Sequence, residues 1–225
     1  MSKKTVVIGI LVLAGICYTL FFKPKVSYEQ LVTINKFADH PALNSAADGV
    51  KTALKNHFPL MQIEEQDAQG SATNAFQIAK HQASQNPVAM VGIATPSAQV
   101  LLKARNDNNV ILSFAAVTDP KAANLDEASN IVGVTDRPPV EKLVEIVAKI
   151  FPNKKRIGTL FNPGEINSIN TIARLKTACE ALGMTVVEAP VNSSSNIKMA
   201  TQKLVEEVDI IYIPQDNMVV SGIEA

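Results

Sequence analysis

The sequence predicts an α/β protein in which two successive series of βα units build two lobes of parallel sheet covered by helices, the second lobe being incomplete. Three observations carry this. Short β-rich runs alternate with amphipathic stretches of helical period from Val26 onward, the pattern of parallel strands joined by crossover helices. An extended, proline-punctuated stretch, Asn130 to Pro139, separates the two series. The second series stops after a third strand candidate, about one turn into what reads as a further helix, and three strands are few for a covered sheet.

The elements come in order. Strands are expected at Gln30 to Phe37, Met61 to Gln66, Val88 to Ala94, Val110 to Ala116, Arg156 to Phe161, Thr185 to Ala189 and Ile210 to Pro214, the last as a fully buried run. Helices are expected at Leu43 to Asn56, Ala72 to Gln85, Pro96 to Arg105, Pro139 to Phe151, Ser168 to Leu182 and Asn196 to Val208. In Ala94-Thr95-Pro96-Ser97, Thr95 suits the N-cap and Pro96 the first helical position, where a missing N–H costs nothing. Gly183 closes the helix ending near Leu182, and Asn192 to Ser195 forms a turn with a ready cap. The resulting division is an anchor over 1–25, a first lobe over 26–134, a hinge at 135–138 and a second lobe over 139–225.

The N-terminus stands apart. Lys3 and Lys4 precede Thr5 to Phe22, a stretch of 18 residues without a charge, and Lys23-Pro24-Lys25 comes directly after. A basic start before an apolar core is the layout of an export signal, and its length reaches the lower limit of a membrane span. Tyr18, Phe21 and Phe22 are too large for the small-residue site that cleavage uses, which argues for an uncleaved anchor over residues 5–22. Ile16, bulky and β-branched, argues against a lipid-modified Cys17. The chain from Val26 onward is expected outside the cytoplasm, in a periplasm or on the outer face of the cytoplasmic membrane.

Composition narrows the function. Lys+Arg and Asp+Glu both number 21, so there is no basic excess with which to neutralise phosphates, and nucleic acid is excluded as a partner class. Aromatic residues are 5% with no Trp, too few for a stacking platform. Cys179 is the one cysteine beyond the N-terminal segment, so no internal disulfide forms there; sharing a helix face with Leu175 and Leu182, it is expected in the core. Neither a cofactor nor a metal is implied. There is no GxSxG, Walker A, GxGxxG or HExxH string and no cysteine cluster, and His40, His57 and His81 are scattered, so no nucleophile and base pair off. Glu64-Glu65 and Glu206-Glu207 read as solvated surface charge.

Parallel sheets bind ligands at the C-terminal ends of their strands. Residues just after the strand candidates are short and polar: Asp39 and His40, Thr95 and Ser97, Thr118 and Asp119, Asn162 with Glu165 and Asn167, and Asp216 with Asn217. Each has an ordinary explanation as a cap or turn former. Taken together they predict a zwitterion site, with a carboxylate at the helix start of Thr95 to Ala98 and an ammonium on Asp216, Glu165 or Asp119. His40 reads as a helix-start or ligand contact.

Six ordered strings carry a family resemblance: HPALN (40–44), IATPSAQ (93–99), FAAVTDP (114–120), GVTDRPP (133–139), IGTLFNPGEINS (157–168) and IYIPQDN (211–217). The chain resembles the ABC-transporter substrate-binding proteins related to tryptophan- and tyrosine-type binding proteins. The resemblance implies two Rossmann-like lobes of the type I periplasmic-binding class that close on an amino acid or similar small solute and dock on a membrane permease. It places Thr95, Ser97, Thr118 and Asp119 on the first lobe's side of the cleft and Asn162, Glu165, Asn167, Asp216 and Asn217 on the second's. Two departures stand out. Asn44 occupies a position where the family has Asp, and the family continues for roughly another half-domain beyond the Asp-Asn turn, so the chain reads as C-terminally truncated. The alternatives are a tethered sensory or interaction domain and a non-functional remnant; an enzyme is the least supported.

Overall fold

The computed structural model describes residues 30–105, 109–126 and 130–223. The segment expected as an anchor, 1–25, lies outside the described residues; among those described, no helix is long and apolar enough to cross a membrane.

Two parallel sheets form. The first holds β1 (Leu31–Lys36), β2 (Gln62–Asp67), β3 (Ala89–Ile93), β4 (Ile111–Val117) and β5 (Ile131–Thr135) in the order β2-β1-β3-β4-β5. Its helices are α1 (Pro41–His57), α2 (Ala72–Ser84) and α3 (Thr95–Ala104). The second holds β6 (Arg156–Phe161), β7 (Thr185–Pro190) and β8 (Ile210–Tyr212) in the order β7-β6-β8, with α4 (Val140–Ile150), α5 (Ile166–Ala181), a 3-10 turn at Ser194–Asn196, α6 (Ile197–Glu207) and the short α7 (Asn217–Ser221). Every strand pairing is parallel.

Burial explains this arrangement. β1 and β3 have neighbours on both sides and helices on both faces, so nearly every residue in them is buried; β3 is apolar throughout, while β1 also buries Thr33, Asn35 and Lys36. Gly92 sits where β3 meets α3: a Cβ there would lie 2.6 Å from the Ala98 Cα. Glycine is therefore what lets helix and strand approach. In the second sheet β6 plays the central part, with Ile157, Leu160 and Phe161 buried. Leu175, Cys179 and Met184 pack with Val140 and Val144 on one face, and Leu160, Ile197, Leu204 and Val219 on the other. Cys179 is fully buried, as its helix face predicts, and its exclusion from water pushes the thiol up to about 11.

Several expectations are corrected. The stretch from Asn130 contains a fifth strand, β5, which pairs with β4 before the chain crosses to α4. β5 was hidden because Val132, Gly133 and Val134 are exposed on a sheet edge and interrupted by glycine, made necessary by the ring of Phe114 beneath it. Thr95 is the first helical residue of α3, and Ala94, with φ 79°, is its cap. β8 is a half-exposed edge strand of three residues, since only β6 pairs with it. Glu64 and Glu65 are partly buried and bonded: Glu65 accepts Lys36 at 3.5 Å and Lys51 at 2.6 Å, and Glu64 the Gln85 amide at 2.7 Å.

Candidate functional site

Because both sheets are parallel, their strand ends deliver polar loops to one edge each, and these edges face one another across a cavity of about 150 Å³. His40 and Leu43 reach it from the start of α1, Thr95 from α3, Ala116 and Thr118 from the end of β4, Asp136 from just beyond β5, and Asn167, Gln215, Asp216 and Asn217 from the second sheet. Hydrogen bonds cross the gap. The Gln215 amide donates to the Asp136 carbonyl at 2.9 Å, and the His40 imidazole bonds with the Asn217 side chain.

The first sheet contributes mainly backbone and threonine hydroxyls. Ala94 and Ala116 flank the site with φ of 79° and 55°, values that L-alanine avoids. The second accompanies an irregularity in the β4–β5 pairing between Phe114 and Val117. Such backbone costs about 1–3 kcal/mol per residue and collects where binding needs a particular presentation. Thr118 is buried and donates its hydroxyl to Asp136 Oδ1 at 3.2 Å. His40 caps α1 through its backbone alone; burial lowers its pKa, against the Asn217 hydrogen bond.

The second sheet contributes a buried network around two carboxylates. Asp216, fully buried, accepts the Asn162 N–H at 2.6 Å, the Ser168 hydroxyl at 2.7 Å and, as cap of α7, the Val219 N–H at 2.9 Å. Glu165 accepts the Asn217 N–H at 3.1 Å, its side-chain amide at 2.6 Å and the Met218 N–H at 3.3 Å. Burial, followed by the charge of Asp216, raises the Glu165 pKa above the usual carboxylate range. Asn167 donates its amide to the Gln215 carbonyl at 2.8 Å and to Glu165 at 3.3 Å, while its Oδ1 is buried without a partner among the described residues.

Of the residues read from sequence, His40, Thr95, Thr118, Asn167, Asp216 and Asn217 line the cavity. Four lie elsewhere. Ser97 bonds with Asn35 in the core at 2.8 Å and ties α3 to β1. Asp119 accepts the Ala122 N–H within its own turn and lies 3.9 Å from Arg137. Asn162 closes its turn by accepting the Gly164 N–H at 2.9 Å. Glu165 sits behind Asn217 as its support. Asn44 joins Lys36 at 2.5 Å to Asp39 at 2.7 Å, behind His40. Sequence reading missed Asp136 and Gln215 as site residues; the signal available was that Asp136 directly follows β5 and that Gln215 opens the polar turn beyond β8.

A profile of the family described as ABC transporter substrate binding protein matches residues 31–225. The chain belongs to this family. Among other substrate-binding proteins, a tyrosine-binding protein of Clostridioides difficile is 30% identical over 200 residues, covering 85% of this chain and 57% of its own. The chain thus spans little more than half the length of that relative. An ABC domain from Streptococcus pneumoniae, solved in complex with L-Trp, superposes with a TM-score of 0.81 at 30% identity, covering 87% of this chain and 68% of its own. A conserved domain protein from Vibrio cholerae O1 biovar El Tor gives a TM-score of 0.82 at 36% identity, with 87% and 69% covered. These likenesses place the two sheets in the type I periplasmic-binding fold.

Proposed function

We propose that this chain is the extracytoplasmic solute-binding component of an ABC transporter, taking an amino acid into the cleft between its lobes and presenting the closed form to a membrane permease. The observation that carries the reading is the cavity itself, which draws its walls from the strand ends of both sheets and is bridged by the Gln215–Asp136 and His40–Asn217 contacts. A site divided in this way couples occupancy to the approach of the lobes, with 136–139, between β5 and α4, absorbing the motion. Cavities of comparable volume accept a molecule the size of benzene, which matches a small solute. The names of the tyrosine-binding relative and the L-Trp complex favour an amino acid with an aromatic side chain. Its carboxylate would sit at the start of α3, where Thr95 lines the cleft at the positive end of the helix dipole.

Binding rather than catalysis is supported by the state of the nucleophiles. The Cys179 thiol is buried in the core and held protonated, the Ser168 hydroxyl is spent on Asp216, and His57 and His81 are exposed at helix C-termini. The test is thermal unfolding of the full chain with and without tryptophan, tyrosine, phenylalanine and leucine. A ligand present at a hundred times its Kd adds about 2.7 kcal/mol to the folded state, so the transition should rise by several degrees with at least one of them. No rise with any amino acid at millimolar concentration would refute the reading.

A further inference from the structure

We propose that Asp136, together with the Asn167 side-chain oxygen, forms the ammonium subsite of this cleft and makes it prefer α-amino acids over the same solutes without the amino group. The inference rests on the solute-binding reading and adds what recognises the solute's charge.

A ligand ammonium needs an anion that is not already committed. Asp216 has both oxygens engaged by the Asn162 N–H, the Ser168 hydroxyl and the Val219 N–H. Glu165 is occupied by Asn217 and Met218 and does not reach the cavity wall. Asp119 lies outside it, near Arg137. Asp136 differs from all three. It lines the cavity, its carboxylate accepts one neutral hydroxyl from Thr118, and among the described residues no cation pairs with it.

A second feature of the cavity is independent of that carboxylate. Asn167 is 3% exposed and lines the same cavity, and its amide orientation is set by donation to the Gln215 carbonyl and to Glu165. This leaves Oδ1 as a buried acceptor with no donor among the described residues. A buried acceptor left unmet is costly, and because Oδ1 itself is covered although its residue lines the cavity, a ligand donor meets it by drawing the Asn167 side chain toward the cavity. An ammonium supplies three donors and a positive charge. It therefore satisfies the Asn167 oxygen and compensates the Asp136 carboxylate at once, and joins a residue of the linker to a residue of the second sheet. Burial raises the Asp136 pKa, against the Thr118 hydrogen bond, as expected for an anion short of a partner.

The ordinary explanation is that Asp136 is a linker residue held for its backbone. Its N–H does donate to the Val117 carbonyl at 3.2 Å, and its carbonyl accepts Gln215. Asp136→Asn keeps both bonds and the side chain's shape while removing the charge, so it separates the two roles. Calorimetric titration with L-tyrosine and L-phenylalanine is compared with 3-(4-hydroxyphenyl)propionate and 3-phenylpropionate, which lack only the amino group. The wild-type chain should prefer the amino acids, and Asp136→Asn should lose about a hundredfold in their affinity while binding the propionates as well as before or better. The melting temperature of the ligand-free variant checks that it is folded. Should Asp136→Asn bind the amino acids within about threefold of wild type, or weaken both series equally, the proposal is overturned while the solute-binding reading stands. Should the wild-type chain bind no amino acid at all, both fall together.

Discussion

The two lobes solve the same packing problem with different completeness. In the first, β1, β3 and β4 are central, β1 and β3 being almost wholly buried, and only β2 and β5 lie at edges. In the second, β6 alone is central, and both β7 and β8 are half-exposed. The second lobe also shows more apolar surface: Leu143, Ile146 and Ile150 on α4, and Val205, Ile213 and Ile223 around the open side of β8. A groove of about 500 Å³ lined by Ile197, Val205, Ile211 and Ile213 runs along that side. The contrast continues at the cleft, where the first lobe offers hydroxyls and strained backbone, and the second a carboxylate-centred network. A sheet with three central strands holds alanine at φ 79° and 55°; a sheet with one uses Glu165 and Asp216 to hold its binding loop together.

Two glycines test this contrast most forcefully. Gly92→Ala would drive a Cβ into the Ala98 backbone at 2.6 Å, and neither β3 nor α3 can yield, so a loss of about 3 kcal/mol is expected. Gly158→Ala meets the side chains of Leu204 and Val208 at 2.8 to 2.9 Å, which can rotate, and about 1 kcal/mol is expected. Urea denaturation of the two variants measures the difference; equal losses would show that the second lobe is as rigid as the first.

Of intermediate size is the network at the second lobe's binding loop. Glu165→Ala strips the acceptor from the Asn217 and Met218 N–H groups and should cost about 2 kcal/mol, with faster hydrogen exchange confined to the start of α7. Exchange in the unaltered chain bears on the same difference between lobes: β1 and β3 should exchange more slowly than β6, and β8 fastest of the four.

The smallest effect is expected at Asp209. It accepts the N–H groups of Arg156 and Lys155 and the Lys154 ammonium at the start of β6 and β8, and the two backbone bonds hold its pKa below the ordinary 3.8. A carboxylate with a depressed folded pKa stabilises the fold above its unfolded value and ceases to do so as pH falls through the folded one. Asp209→Asn should therefore melt slightly lower than wild type near neutral pH, with the gap closing on acidification below 3.8. A gap independent of pH would mean that shape rather than charge holds this corner.

Much of the architecture was legible because its causes are local. Runs such as Val32 to Phe37 and Arg156 to Phe161, the Thr95-Pro96 helix start and the stop at Gly183 lie within one element each, where period and turn chemistry decide. β5 was not legible, because it is a strand only by virtue of pairing with β4. Half of the site could be read in the same way, from polar residues placed directly after strands. The remainder depended on which of them were already spent. Ser97 and Asn162 have the same local appearance as Thr95 and Asn167, yet one bonds with Asn35 and the other closes its own turn.

The residues in their order were enough for the fold class, the succession of strands and helices, the family and the loops from which a site could be built. Which carboxylates remain uncommitted was settled only by folding. That depends on partners far apart in the chain, such as Ser168 with Asp216 and Glu165 with Asn217, brought together when the sheet forms. A carboxylate looks the same in sequence whether it caps a helix or faces a cleft; only the surrounding donors, assembled by folding, distinguish Asp216 from Asp136.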